Sequence, residues 1–198
     1  MIKFINLSSE EPYLIFKSKY DLALTKCQKN IEALSISTYN KVNEEVDSRY
    51  VNLKYIDDKK FIFFSNYQSP KAKAFTYHDQ IAALFYWPSI NTQIRIKAKI
   101  TKTSMSYNQA YFEKRSLDKN ALAISSMQST PIESFDKIIE NYQMVMKDSD
   151  LTKCPDYWGG FSFIPFYFEF WHGHESRINQ REVFELRDSE WINFCIQP

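Results

Sequence analysis

Three glycines in 198 residues leave almost no backbone position without a Cβ, and all three fall between Trp158 and His174. Glycine loses more conformational freedom on folding than any other residue. A chain this poor in it keeps it where φ > 0 or the close approach of another group demands it. Gly159-Gly160, between Trp158 and a run of aromatics, therefore marks a tight, specialised backbone site. The same scarcity excludes a G-x-G-x-x-G dinucleotide loop and a Walker A loop. Any nucleotide-like ligand must be held by side chains and helix ends. The stretch leads directly into Arg177-Ile178-Asn179-Gln180-Arg181, the first place to look for anion binding.

A chain of this length suits one domain and can bury a substantial core. Its aromatic content of 17% favours β-rich packing. A net charge of +1 supplies no bulk field for nucleic acid or an anionic membrane. Cys27, Cys154 and Cys195 fit neither a zinc spacing nor a disulfide framework, which points to a reducing cytoplasm. No apolar run approaches the ~20 residues of a membrane span, and no signal-peptide pattern opens the chain.

The pattern predicts a helix over 12–31, with Leu14, Phe16, Leu22, Leu24 and Ile31 among its apolar positions. Strands follow at 33–39, 46–56, 60–65, 80–87 and 93–103, the last alternating Ile94, Ile96, Ala98 and Ile100 with Arg95, Lys97 and Lys99. Ser69-Pro70-Lys71 opens a short helix, with serine as cap and proline at the first helical position. Thr130-Pro131-Ile132-Glu133 has the capping-box spacing for a helix to about Lys147. Helices also fit 105–115 and 118–126, and strands resume at 158–171, 176–186 and 190–195. The order implies an α+β fold built on an antiparallel barrel with flanking helices.

Alternation puts Arg177, Asn179 and Arg181 on one strand face, the two guanidiniums ~13 Å apart. That face suits two anionic groups, or simply solvent. Tyr111 and Arg115, spaced i, i+4, share a helix face that Lys119 would join if the helix continued; a phenol with cations suits a phosphate, and equally a solvated surface. Ser69 and Lys71 sit where free N–H groups favour an anion. Arg49 and Lys54, five apart on one predicted strand, fall on opposite faces unless a bulge intervenes. His172 and His174 offer half a metal site with nothing nearby to complete it, so no metal is expected.

Taken together, these segments resemble the pyridoxamine 5′-phosphate oxidase family of FMN enzymes. The resemblance rests on Glu169-Phe170-Trp171-His172 followed by Arg177-Ile178-Asn179-Gln180-Arg181, and on Trp158-Gly159-Gly160-Phe161 before it. Upstream, Arg49-Tyr50-Val51-Asn52-Leu53-Lys54, Ser65-Asn66, Ser69-Pro70-Lys71, Gln93, Tyr111-Phe112, Arg115 and Gln128-Ser129 fall in the family's order, covering about residues 31–198. The resemblance implies a split β-barrel over 1–198, with an N-terminal helical segment at 1–31 and dimerisation and substrate strands at 158–198. It implies a homodimer with FMN in clefts at its interface. Arg49, Lys54, Ser65, Ser69, Lys71, Gln93, Gln128, Ser129, Trp171 and Arg181 would then contact FMN. Lys54, Tyr111, Arg115 and Lys119 would bind a substrate phosphate, and Arg177 and Asn179 would face the substrate ring as the catalytic pair.

The implied reaction is oxidation of pyridoxamine or pyridoxine 5′-phosphate to pyridoxal 5′-phosphate, with O2 reduced to H2O2. Asn179 stands where the family commonly has a histidine, Lys119 replaces a small hydroxyl residue, Pro70 a basic residue and Phe64 a tyrosine. These departures keep two alternatives open: a related flavin oxidase of the phenazine-biosynthesis kind, and a protein that binds FMN or pyridoxal phosphate without turnover.

Overall fold

The computed structural model describes residues 1–198. Its elements run β1 (Lys3–Ile5), α1 (Glu11–Thr25), β2 (Ala33–Asn40), β3 (Glu45–Asn52), β4 (Tyr55–Asp57), β5 (Lys60–Asn66), α2 (Pro70–Tyr77), β6 (Gln80–Trp87), β7 (Thr92–Lys102), α3 (Met105–Phe112), α4 (Leu117–Ser125), α5 (Phe135–Asp148), β8 (Trp158–His172), β9 (Gln180–Arg187) and β10 (Glu190–Cys195). The strands form one sheet in the order β1-β4-β5-β8-β7-β6-β2-β3, with β9 and β10 branching from β8. All pairings are antiparallel except β1 with β4. β3 returns against β5 to close the barrel, and the fold is an α+β split barrel.

β8 serves both halves of the molecule. Its first part pairs with β5, from Trp158–Asn66 to Phe163–Phe61, and its last part pairs with β9, from Tyr167–Glu185 to His172–Gln180. Between them the register against β7 shifts, Ala98 facing Pro165 and Lys97 facing Tyr167. Proline cannot donate to a ladder, so a bulge is the usual place for it inside a sheet.

The barrel interior is aromatic. Phe16 of α1 packs edge-on to Phe61, Phe85 and Trp87, at centroid distances of 5.2, 5.3 and 5.6 Å. The buried face of α1 is Tyr13, Phe16, Tyr20 and Ala23, while the expected Leu14, Leu22 and Leu24 are exposed. The helical stripe runs through the tyrosines, one residue out of phase with the leucines. The helix also stops earlier than expected. Gln28 N–H donates to Ala23 O at 3.0 Å while Cys27 takes φ 56°, a Schellman-type ending made without glycine.

Three further boundaries differ. The strand expected over 46–56 breaks at Leu53-Lys54, where the buried Leu53 donates to Glu32 O and Lys54 donates to Ile62 O. The long helix begins at Ser134, whose hydroxyl accepts from Lys137 N–H, rather than at Thr130; Thr130 instead bonds back to Met127 O. The strand expected from 176 begins at Gln180. Ten non-glycine residues have positive φ and no glycine does. Of the two demands that retain glycine, close approach is therefore the one at work here.

Candidate functional site

A cleft of about 990 Å³ opens between β3, the β5–α2 connection and the α3–α4 segment. Arg49, Lys54, Ser65, Lys71, Tyr111, Arg115, Lys119, Gln128 and Ser129 all line it. The break at Leu53-Lys54 brings Arg49 and Lys54 to one cavity despite their odd spacing. Tyr111 and Arg115 also meet there, although α3 ends at Phe112 and Arg115 sits in a following turn, its N–H donating to Phe112 O. Lys119 arrives on a separate helix, α4, beginning after Ser116. Gln128 Oε1 accepts from Ser65 Oγ at 3.0 Å and from Asn66 N–H at 3.3 Å, fastening the 126–129 segment to β5.

Seven Lys or Arg side chains line this cleft (Lys3, Arg49, Lys54, Lys71, Lys114, Arg115 and Lys119) against one carboxylate, Asp47. At the α2 end, Lys71 is only 6% exposed, and burial, with the Arg49 charge adding, pulls its ammonium down to about 8. Its Nζ donates to Ser69 Oγ at 3.2 Å. Ser69 is fully buried, and its hydroxyl donates to Asn66 O at 2.8 Å rather than capping α2 as expected. Asp47 pairs with Arg49. At the other end, burial and the nearby Lys119 and Arg115 charges lower the Lys54 ammonium, while Glu32 opposes them.

Arg115 lies over the Trp158 ring, 4.4 Å from its centroid, and its Nη1 is buried with no hydrogen-bond partner. A guanidinium stays charged in a protein, so this is an unpaired donor aimed at nothing of the chain's own. Beside it, Phe64 stacks on Tyr111 at 3.6 Å and on Trp158 at 5.5 Å, a layer of near-parallel rings. Trp158 as the floor under Arg115 escaped the sequence reading; its position next to Gly159-Gly160 was the available signal. An orphan cation, a depressed lysine and a seven-to-one charge excess fit a phosphorylated cofactor and a phosphorylated ligand.

The remaining expected residues lie elsewhere. Gln93, Trp171 and Arg181 are in register on β7, β8 and β9 and do not line the cleft. Arg177 and Asn179 precede β9 in a turn, so the shared strand face with Arg181 is absent. Arg177 has φ 62° and its N–H donates to His174 O, while Asn179 Oδ1 accepts from His174 N–H at 3.0 Å. The buried Glu169 accepts from Arg181 Nε at 2.8 Å and from Arg95 Nη1 at 2.8 Å, fixing the Arg181 guanidinium. One chain thus carries a cationic cleft and, apart from it, a second cluster on the β8–β9 side.

Fold and site together define a split-barrel protein with a cleft lined by cations. Residues 23–142 match the family described as "Pyridoxamine 5′-phosphate oxidase", and residues 158–198 match "Pyridoxine 5′-phosphate oxidase C-terminal dimerisation region". The chain belongs to the pyridoxamine 5′-phosphate oxidase family. It is 36% identical over 193 residues to pyridoxine/pyridoxamine 5′-phosphate oxidase 1 of Hydrogenovibrio crunogenus, covering 95% of this chain and 88% of that one. Its identity to the enzyme of that name from Pseudomonas syringae pv. tomato is 31% over 196 residues, covering 96% and 90%.

Among solved structures, PhzG from Burkholderia lata 383, in complex with tetrahydrophenazine-1-carboxylic acid, superposes with a TM-score of 0.89 at 23% identity, over 95% of this chain and 93% of that one. A pyridoxamine 5′-phosphate oxidase-related, FMN binding protein from Nostoc punctiforme gives 0.78 at 14% identity, over 96% and 99%. These two show the fold. No helix is long and apolar enough to cross a membrane.

Proposed function

We propose that this protein is an FMN-dependent oxidase that converts pyridoxamine or pyridoxine 5′-phosphate to pyridoxal 5′-phosphate. The observation that carries the reading is the cleft's seven-to-one excess of cations, with a buried, unpartnered donor on Arg115. The Arg49–Lys71 end would hold the cofactor phosphate. Lys54, Tyr111, Arg115 and Lys119 would hold the substrate phosphate, setting the orientation on which the rate depends. Bound FMN supplies the two-electron chemistry, with O2 as acceptor and H2O2 as product.

Gln93, Trp171, Arg177, Asn179 and Arg181 would complete the site from a second copy of the chain. The separation of the two residue clusters within one chain and the match to a dimerisation region support that arrangement.

The test is purified protein with FMN and pyridoxamine 5′-phosphate in air, following pyridoxal 5′-phosphate and peroxide. Stoichiometric appearance of both is expected. Tight flavin binding without turnover would remove this reading. It would leave a binder without turnover and a related oxidase with another ring in its site. Flavin bleaching by a different compound under anaerobic conditions would favour the oxidase, which the turn-bound Asn179 supports, since an amide in place of an imidazole cannot become cationic near neutral pH.

A further inference from the structure

Asn108 is fully buried on α3, and every hydrogen-bonding position of its side chain has a neighbour. Oδ1 accepts from Gly160 N–H at 2.9 Å and from Thr103 Oγ1 at 2.5 Å; Nδ2 donates to Tyr67 Oη at 2.9 Å and lies 3.9 Å from Met105 Sδ. Tyr67 Oη in turn donates to Gly160 O at 3.1 Å, so both sides of the Gly160 residue are held. A Cβ at Gly159 would collide with Tyr67 Oη and the Asn108 amide, and one at Gly160 with Thr103. The glycine pair is the space into which this amide fits.

Two of the three segments joined here build the Tyr111–Arg115 end of the cleft, and the third leads to its α2 end. Asn108 precedes Tyr111 by three residues on α3, and Arg115 follows the helix end. Gly160 follows Trp158, over which Arg115 lies. Tyr67 begins the segment leading to Lys71, and its N–H donates to Tyr157 O at 2.6 Å. A buried polar network with every member satisfied fixes a unique arrangement, because any slip strands a donor or acceptor away from water.

We propose that Asn108 is a positioning residue for the anion site: its side chain sets the height of α3 against β8 and so holds Tyr111 and Arg115 at the spacing a phosphate requires. This rests on the reading of that end of the cleft as a phosphate site. Asn108 touches no ligand; it acts through Arg115.

The experiment compares binding of pyridoxal 5′-phosphate and pyridoxal to the FMN-loaded protein, the ratio of the two dissociation constants reporting phosphate recognition alone. Wild type should favour the phosphate by roughly 10- to 100-fold, the scale of one charged hydrogen bond. Asn108→Val, near in size but without the amide, should lose about tenfold of that ratio while FMN affinity changes little. Tyr67→Phe, which removes one hydroxyl and keeps the ring, should move the ratio the same way by less. It decides the matter if Asn108→Val does not fold.

An unchanged ratio in a folded variant, or equal losses of FMN and phosphate binding, overturns the role of Asn108 alone. A wild-type ratio near one overturns the phosphate reading and this role with it.

Discussion

Replacing Arg115 by methionine should make the ligand-free protein more stable. The unpartnered, buried Nη1 carries a desolvation cost of about 1–3 kcal/mol, larger for a charged group. Against that, the guanidinium gains about 0.5–2 kcal/mol from the Trp158 face below it. Methionine recovers roughly 0.3–1.5 kcal/mol of that contact through its thioether. The balance is about 1–2 kcal/mol in favour of Arg115→Met, or roughly 2–8 °C in Tm for a chain of this size. Thermal unfolding should be followed in a phosphate-free, low-salt buffer, then repeated with pyridoxal 5′-phosphate at about a hundred times its wild-type dissociation constant. There the wild type gains ~2.7 kcal/mol by mass action and the variant little, so the order reverses. A variant that melts below wild type without any anion would mean that Arg115 stabilises the fold by itself. The case for a site built around it would then fail.

Lys71 gives a pH dependence. Its ammonium is pulled down to about 8, mainly by burial. Between about pH 8 and the ordinary lysine range, the unfolded chain therefore binds more protons than the folded one, and ligand-free stability rises with pH. A phosphate beside Lys71 favours the ammonium, so FMN affinity should fall as pH rises through about 8, by up to about tenfold from pH 7 to 9. Equilibrium titration monitored by flavin fluorescence reads this directly; a flat profile would refute it, and Lys71→Met should flatten the slope. Gly159→Ala forces a methyl against Asn108 and Tyr67 and should cost about 1–3 kcal/mol by denaturant unfolding. A neutral result would show that the pair is not closely packed.

The strands were legible because alternation survives wherever one face is buried: β7 reads Ile94, Ile96, Ala98, Ile100 inward and matches its expected span to within a residue at either end. The helix α1 was legible as a helix but not by face, because Tyr13 and Tyr20 occupy core positions that a hydropathy pattern assigns to leucine. Arg49 and Lys54 looked incompatible because period-2 counting assumes an unbroken strand, and the chain turns the barrel corner between them. Arg177 and Asn179 misled for the related reason that a turn has no alternation. Asn108 carried no local signal at all. A single polar residue becomes informative only when three distant segments close around it.

The division of β8 has a genetic consequence. Its Trp158 end belongs to one pocket and, in a two-copy assembly of the kind proposed, its Trp171 end would belong to the other. A chain crippled at Arg115 and a chain crippled at Arg181 would each be inert alone. Mixed during refolding, they would pair at random, and each heterodimer would reunite an intact Arg115 with an intact Arg181 in one of its two pockets. Roughly a quarter of all pockets should then recover activity, and two defective alleles would complement within a single gene product.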